Sequence, residues 1–167
     1  MRNVRIRSLT AAGLLAALAL ALSVLEGLLP PLPIPGARLG LANVTVMFAL
    51  TCVSFRCAAA LTVVKALFAL FRGVTAGVMS AAGGLAALLL MWLLHRLLSD
   101  RLGAVGLGIS GALAHNVGQW CIAYCLFGDA MWYYAPLLLI LAIPAGCLTG
   151  ITLHVTSPYL KRLPFDR

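Results

Sequence analysis

LTAAGLLAALALALSVLEGLL, residues 9–29, carries one charged residue in 21 positions. A helix of about 20 apolar residues matches the ~30 Å hydrocarbon core of a bilayer. Arg2, Arg5 and Arg7 stand in front of the run, as they would in front of a secretory signal. The run is too long for a signal's apolar region, however, and no convincing small-x-small cleavage site comes after it. The next residues are PPLPIPGARLG, 30–40, whose four prolines hold an extended, stiff path and forbid helix. The stretch therefore reads as a retained first span.

The rest of the chain agrees with that solvent. Of 167 residues, 63% are hydrophobic and 10% charged, with a mean hydropathy of +1.06. A soluble domain carries about 25% charged residues. The apolar runs do not alternate with polar residues, which excludes a transmembrane barrel. The expected fold is an all-α membrane protein of six transmembrane helices. It forms a single domain over residues 1–167, with a short basic segment at 1–8 and a basic tail at 157–167.

After the first span come two shorter apolar runs, Leu41 to about Phe55 and Cys57 to Phe71, separated by Arg56. Each is about 22 Å long as a helix, so they read as two short or tilted spans or one bent hairpin. A fourth span is expected near Met79 to Leu98 and a fifth from about Val105 to Phe127. The sixth runs from about Trp132 to Val155, with Pro144 a candidate bend. Charge placement separates the alternatives. With six spans and the N-terminus inside, Arg2, Arg5, Arg7, Arg56, Arg96, Arg101, Lys161, Arg162 and Arg167 face the cytoplasm, and only Arg38 and Arg72 face out. That distribution obeys the positive-inside rule; merging the second and third runs inverts it for the later spans. The reading is a multi-pass protein of a bacterial inner (plasma) membrane, both termini cytoplasmic. The net charge of +8 is explained by the same bias, so no nucleic-acid partner is expected. Trp132, Tyr133 and Tyr134 read as an interfacial anchor at the outer start of the last span, or as the source of one site-lining ring.

Intramembrane polar groups are expensive and each needs a reason. Glu26 lies near the outer end of the first span, Asn43 just inside the second and Lys65 about midway along the third. His115, Asn116 and Gln119 form a polar stripe in the fifth, since residues three and four apart are helix neighbours. Lys65 pairs with Glu26, meets an anionic ligand or snorkels to a surface. The stripe is polar glue between helices or the lining of a ligand site. Arg38, flanked by Gly36 and Gly40, and Arg72 are cations at the outer face. With Lys65 they suggest a pocket opening outward for something negatively charged. Arg38, Asn43, Lys65, His115, Asn116 and Gln119 are the candidate substrate-binding residues.

Small residues recur at i, i+4 spacing in the first span (Ala12 and Ala16, Gly13 and Ala17, Ala17 and Ala21) and in the last (Ala142, Gly146, Gly150). Such ladders let helix backbones approach closely, within the protein or against a partner. The five cysteines read as small packing residues. There is no phosphate-binding GxxxxGK[ST] loop, no DDxxD pair and too few acids to build a Mg²⁺ or Zn²⁺ site. No cofactor, metal or catalytic residue is expected.

Three stretches together carry a resemblance: SVLEGLLPPLPIPGARLGLANV (Ser23 to Val44), the third run with Lys65, and GALAHNVGQW (Gly111 to Trp120). The chain resembles the "Gx transporter" family, labelled heptaprenyl diphosphate synthase component I. That family is grouped with the substrate-binding S-components of energy-coupling factor (ECF) transporters. The resemblance runs from about Arg5 to Tyr159. It implies substrate held near the outer face by the first loop and neighbouring helix ends. It also implies a membrane scaffold subunit and two ATPases as partners, with Ala12, Ala16 and Ala17 matching the small-residue docking face of the first helix.

The residues admit three functional readings. The first is a substrate-capture subunit of a small-molecule importer, taking an anionic or isoprenoid-like ligand. The second is a membrane accessory protein of isoprenoid or quinone biosynthesis without a catalytic site of its own. The third is a purely structural scaffold.

Overall fold

The computed structural model describes residues 2–28, 38, 40–98 and 101–160. Six α-helices form one bundle, with no strand among the described residues. They are α1 (Arg2–Gly27), α2 (Asn43–Phe48), α3 (Phe55–Leu70), α4 (Val74–Leu98), α5 (Ala104–Phe127) and α6 (Ala135–Leu160). A π-helical turn, Ala49–Val53, prolongs α2, and a 3₁₀ turn, Gly128–Tyr133, precedes α6.

Helix ends obey local chemistry. The second and third apolar runs part at Ser54, two residues before Arg56. Ser54 is extended (φ −168°, ψ 158°), and its hydroxyl accepts the Cys57 N–H at 3.2 Å, capping α3. Ahead of it, the Ser54 N–H donates to Ala49 O at 2.8 Å, which widens the last turn of the second run to π spacing. Helix α4 begins at Val74, five residues earlier than the expected Met79. Gly73 turns the chain at φ +130°, so the fourth helix starts at once. The sixth helix starts at Ala135 rather than Trp132, because Trp132 and Tyr133 belong to the 3₁₀ turn. Pro144 lies inside α6.

Helix α2 and its π turn form the centre of the bundle. Asn43, Thr45 to Leu50 and Cys52 are buried, and α2 touches α1, α3, α4, α5 and α6. An apolar cluster of Val46 to Leu50, Ala58, Leu61, Leu88, Met91, Leu107 and Leu153 fills the half of the bundle nearer the ends of the chain. A smaller cluster of Met79, Ala123, Met131 and Leu138 closes the other half. The buried polar groups lie between the two.

Among the described residues, two helices, Val74–Leu98 and Ala135–Pro158, are long and apolar enough to cross a membrane. The second run, Asn43–Val53, is a buried helix of only about 16 Å, shorter than the ~30 Å apolar core of a bilayer. The outside of the bundle is apolar all round. Leu14, Leu18 and Leu25 on α1, Val63 and Leu67 on α3, Leu89 and Leu93 on α4, and Ile140, Ile143 and Ile151 on α6 are exposed. Such a surface is far beyond the patches a protein in water leaves open, and it marks the chain as membrane-associated.

The last helix uses its small-residue ladder internally. A Cβ on Gly146 would lie 2.5 Å from Ile109 Cα, and one on Gly108 would strike Gly146 O. One on Gly150 would strike Val105 Cα. Helices α5 and α6 therefore meet backbone to backbone. On α1 the expected docking residues Ala12, Ala16 and Ala17 are open to different degrees. Ala16 packs against the core cluster beside Leu15, and Ala12 is half-buried. The small residues left open are Gly13, Ala17 and Ala21. Every face of α1 is apolar, so periodicity alone does not reveal which one turns inward.

Candidate functional site

The polar residues gather at the end of the bundle opposite both chain ends, where α1 finishes and α2 starts. Ser23, Glu26, Arg38, Gly40, Ala42, Lys65, Arg72, Ser80, His115 and Gln119 line one cavity of about 20 Å³. That is room for about one water, so a larger ligand needs the lining to part.

Each side chain is held by a specific contact. The Lys65 ammonium, 7% exposed, donates to Asn43 Oδ1 at 2.6 Å. Glu26, equally buried, does not take that role. Its Oε1 accepts the Gly40 N–H at 2.5 Å and the Leu41 N–H at 3.4 Å. The sequence left Lys65 three options, and the structure adds an amide as its partner. Glu26 instead ties the end of the proline loop to the end of α1. The Arg38 guanidinium donates to Ser23 O at 2.6 Å, close to the C-terminal end of α1, where a cation is favoured. The Arg38 backbone N–H donates to Gln119 Oε1 at 3.1 Å. Residues 29–37 and 39, including Gly36, lie outside the described residues.

Gln119 lies 2.9 Å from His115 Nε2 through its amide nitrogen. Its oxygen already faces an N–H donor, so its other end is the NH₂ group, and His115 Nε2 must offer a lone pair. His115 is therefore neutral, with its proton on Nδ1. That nitrogen lies against the backbone of Gly83. Asn43 Nδ2 and Asn116 Oδ1 are buried and unpartnered. An unsatisfied buried polar atom costs about 1–3 kcal/mol. Neither amide lines the cavity: Asn43 stands behind Lys65, and Asn116 faces α6.

The six candidate residues fall into two sets. Arg38, Lys65, His115 and Gln119 line the cavity. Asn43 stands behind it, holding Lys65. Asn116 turns away and donates to Leu138 O at 2.6 Å, joining α5 to α6. The polar stripe is thus divided: Gln119 and His115 line the cavity, and Asn116 is glue. Glu26 and Arg72, noted in the sequence but not chosen as site residues, also line it. The lone carboxylate in an apolar run beside a glycine-containing loop was the available signal for Glu26. Ser23 and Ser80 gave no signal, since serine in an apolar helix commonly bonds its own backbone.

Gly40 is the hinge of the arrangement. Its φ is +83°, and a Cβ there would lie 2.8 Å from Asn43 Nδ2 and 2.9 Å from His115 Cδ2. Gly40→Ala is expected to lose about 1–2 kcal/mol from the backbone conformation alone, and more from the contacts. A lowered melting temperature by intrinsic tryptophan fluorescence in detergent checks this; an unchanged melt would contradict it.

Aromatic groups mark both ends. Near the cavity end, the rings of Trp120 and Trp132 lie 4.7 Å apart, and Tyr124 joins them. The Trp120 indole donates to Met131 O at 2.9 Å. Near the other end, Phe55 packs on Trp92 at 5.5 Å, with Arg96 over the same indole. Tyr133 is almost fully exposed, whereas Tyr134 packs against the smaller cluster.

A family model described as heptaprenyl diphosphate synthase component I matches residues 15–156. The chain belongs to that family. Comparison with curated proteins and with solved structures finds no match. The matched stretch holds every residue of the cavity and both small-residue ladders apart from Ala12 and Gly13. In this member of the heptaprenyl diphosphate synthase component I family the cavity is basic. Among the described residues, no group of three or more His, Cys, Asp or Glu side chains is placed to hold a metal ion.

Proposed function

We propose that this protein is a membrane-embedded substrate-binding subunit of a small-molecule importer, capturing an anionic or isoprenoid-like ligand from the outer face. The observation that carries the reading is the cavity lined by the buried Lys65, the half-buried Arg38 and the exposed Arg72 around a single carboxylate, Glu26. A buried cation whose hydrogen-bond partner is a neutral amide, as Lys65 is with Asn43, is held at a cost unless something negative meets it.

In this reading the chain crosses the membrane six times with both termini cytoplasmic, and the cavity opens outside. The exposed apolar belt and the aromatic clusters at both ends support the membrane placement. Helix α2 is a short, protein-covered segment. The protein is not itself an enzyme. It works with a membrane scaffold subunit and ATPases of the ECF type, as an S-component does. Gly13, Ala17 and Ala21 form the open small-residue face for the scaffold, with Ala12 at its edge and Ala16 turned inward. Ala17→Trp is expected to abolish co-purification with that scaffold while the chain still folds; normal co-purification would rule out this face.

The family description favours a second reading, a membrane accessory of prenyl diphosphate synthesis. The two separate cleanly. Membrane extracts from a deletion strain, supplied with isoprenoid precursors, make long-chain prenyl diphosphates at normal rates if the protein captures substrate for import. Lost synthesis in such extracts would favour the accessory role. Topology gives an independent check. In a chain whose five native cysteines are replaced, Arg72→Cys should react with a membrane-impermeant thiol reagent in intact cells. Labelling only after lysis would overturn the outward opening.

A further inference from the structure

Hydrogen bonds cross the cavity lining in one direction. The Arg38 backbone N–H donates to Gln119 Oε1 at 3.1 Å, and the Gln119 amide nitrogen lies 2.9 Å from His115 Nε2. His115 Nδ1 lies against the backbone of Gly83, which can accept its proton through the carbonyl. A Cβ on Gly83 would stand 2.8 Å from that nitrogen, so the glycine leaves room for the contact. The series joins the segment before α2 to α5, and α5 to α4. Its direction is set at the Arg38 end. A backbone N–H can only donate, so the Gln119 oxygen faces Arg38 and its NH₂ faces the ring. The ring must answer with a lone pair on Nε2. An imidazolium has none and would set donor against donor at 2.9 Å.

We infer that Gln119 is a positioning residue that makes two events mutually exclusive: the seating of the Arg38 N–H on its oxygen and the protonation of His115. The inference rests on the capture reading and deepens it at the same cavity. That cavity holds about one water, so its lining must part for anything larger. Where parting takes the Arg38 N–H from Gln119, the amide is free to turn and Nε2 is free to take a second proton. By reciprocity, a proton on His115 favours the unseated Arg38. The unseated state binds more protons, so its weight grows as pH falls and shrinks as pH rises. The other charged groups around the ring do not take over the role of Gln119. Lys65 from α3 opposes a second positive charge, and Glu26 from α1 gives its Oε1 to the Gly40 and Leu41 N–H groups. Arg38 and Arg72, ahead of α2 and α4, are cations, and among the described residues α6 adds no group to the lining.

Nitrogen-15 spectra of the full-length chain in detergent test this, read together with hydrogen exchange at the Arg38 amide. His95→Gln and His154→Gln leave His115 as the remaining ring of the three histidines. The pH is lowered from about 8 to about 4, across and below the range in which an ordinary histidine changes charge. At the upper end the ring should carry a proton on Nδ1 alone, and the Arg38 amide should be protected. Wherever the ring gains its second proton, protection at Arg38 should be lost with it. Gln119→Glu should uncouple the two. One carboxylate oxygen keeps the Arg38 N–H, and the other faces Nε2, so the more basic ring holds protons on both nitrogens at about pH 5 while Arg38 stays protected. A residue with a merely structural role would not move the ring's protons in this way. A starting chain whose ring is doubly protonated while Arg38 stays protected, or is protonated on Nε2 alone, would overturn the inference. So would a Gln119→Glu ring that stays neutral at about pH 5; should that variant fail to fold, the starting chain decides by itself. No ligand takes part, so such a result leaves anion capture standing, and a chain that retains no anion leaves the ring measurement intact.

Discussion

Lys65→Met is expected to leave the bundle folded and to lower affinity for the bound anion by about 30-fold to several thousand-fold. Removing one partner of a buried, hydrogen-bonded charge pair costs about 2–5 kcal/mol of binding. The fold should tolerate the change because methionine keeps much of the volume of the lysine stem, and replacing a buried charge by an apolar side chain is often neutral or stabilising. The free protein loses the ammonium from Asn43 Oδ1 at 2.6 Å, about 1–3 kcal/mol, and the attraction between Lys65 and the buried Glu26 carboxylate. The two readouts therefore differ in size: the melting temperature falls by the few degrees that such a loss implies, while equilibrium dialysis of the retained anion shows the larger loss. A variant that binds as tightly as the parent would mean that Lys65 serves only Asn43.

Gly146→Leu is expected to have the largest effect on stability. A Cβ at this position would lie 2.5 Å from Ile109 Cα and 2.8 Å from Ile109 N, both backbone atoms of α5. Overpacking typically costs about 1–3 kcal/mol when side chains can give way. Here α5 and α6 must separate, so a loss of ~3 kcal/mol or more is expected, a large share of the roughly 5–15 kcal/mol that holds an ordinary domain together. Loss of the monodisperse peak in fluorescence-detected size exclusion after mild heating would report it. Gly13→Leu is the control, because a Cβ at Gly13 meets nothing within 4 Å. It should destabilise the isolated chain by no more than about 0.5 kcal/mol. Equal effects of the two substitutions would contradict the backbone contact between α5 and α6.

The existence of the helices was legible because the polarity contrast between long apolar runs and short charged or proline-rich breaks is strong. Their ends were less so, because single residues decide them: the Ser54 hydroxyl moved one boundary and the turn at Gly73 another. Neither is visible in hydropathy. The site was legible as a set of residue types. An ionisable or amide side chain in an apolar run has few reasons to be there, and Lys65, His115 and Gln119 were found on that ground. Their partners were not legible. Lys65 meets Asn43 and not Glu26 because the loop returning through Gly40 brings its own N–H groups to the carboxylate. That approach is a property of the folded chain. Asn116 and Gln119 are helix neighbours, yet one turns to α6 and the other to the loop. On α1, where all faces are apolar, nothing in the sequence could say that Ala16 packs inward while Ala17 stays open.

Native mass spectrometry of the detergent-purified chain tests anion capture by the basic cavity. One small anion per chain should be retained by the parent protein and lost from Lys65→Met. A parent chain that carries no ligand, or carries an uncharged one that Lys65→Met retains equally, would contradict anion capture.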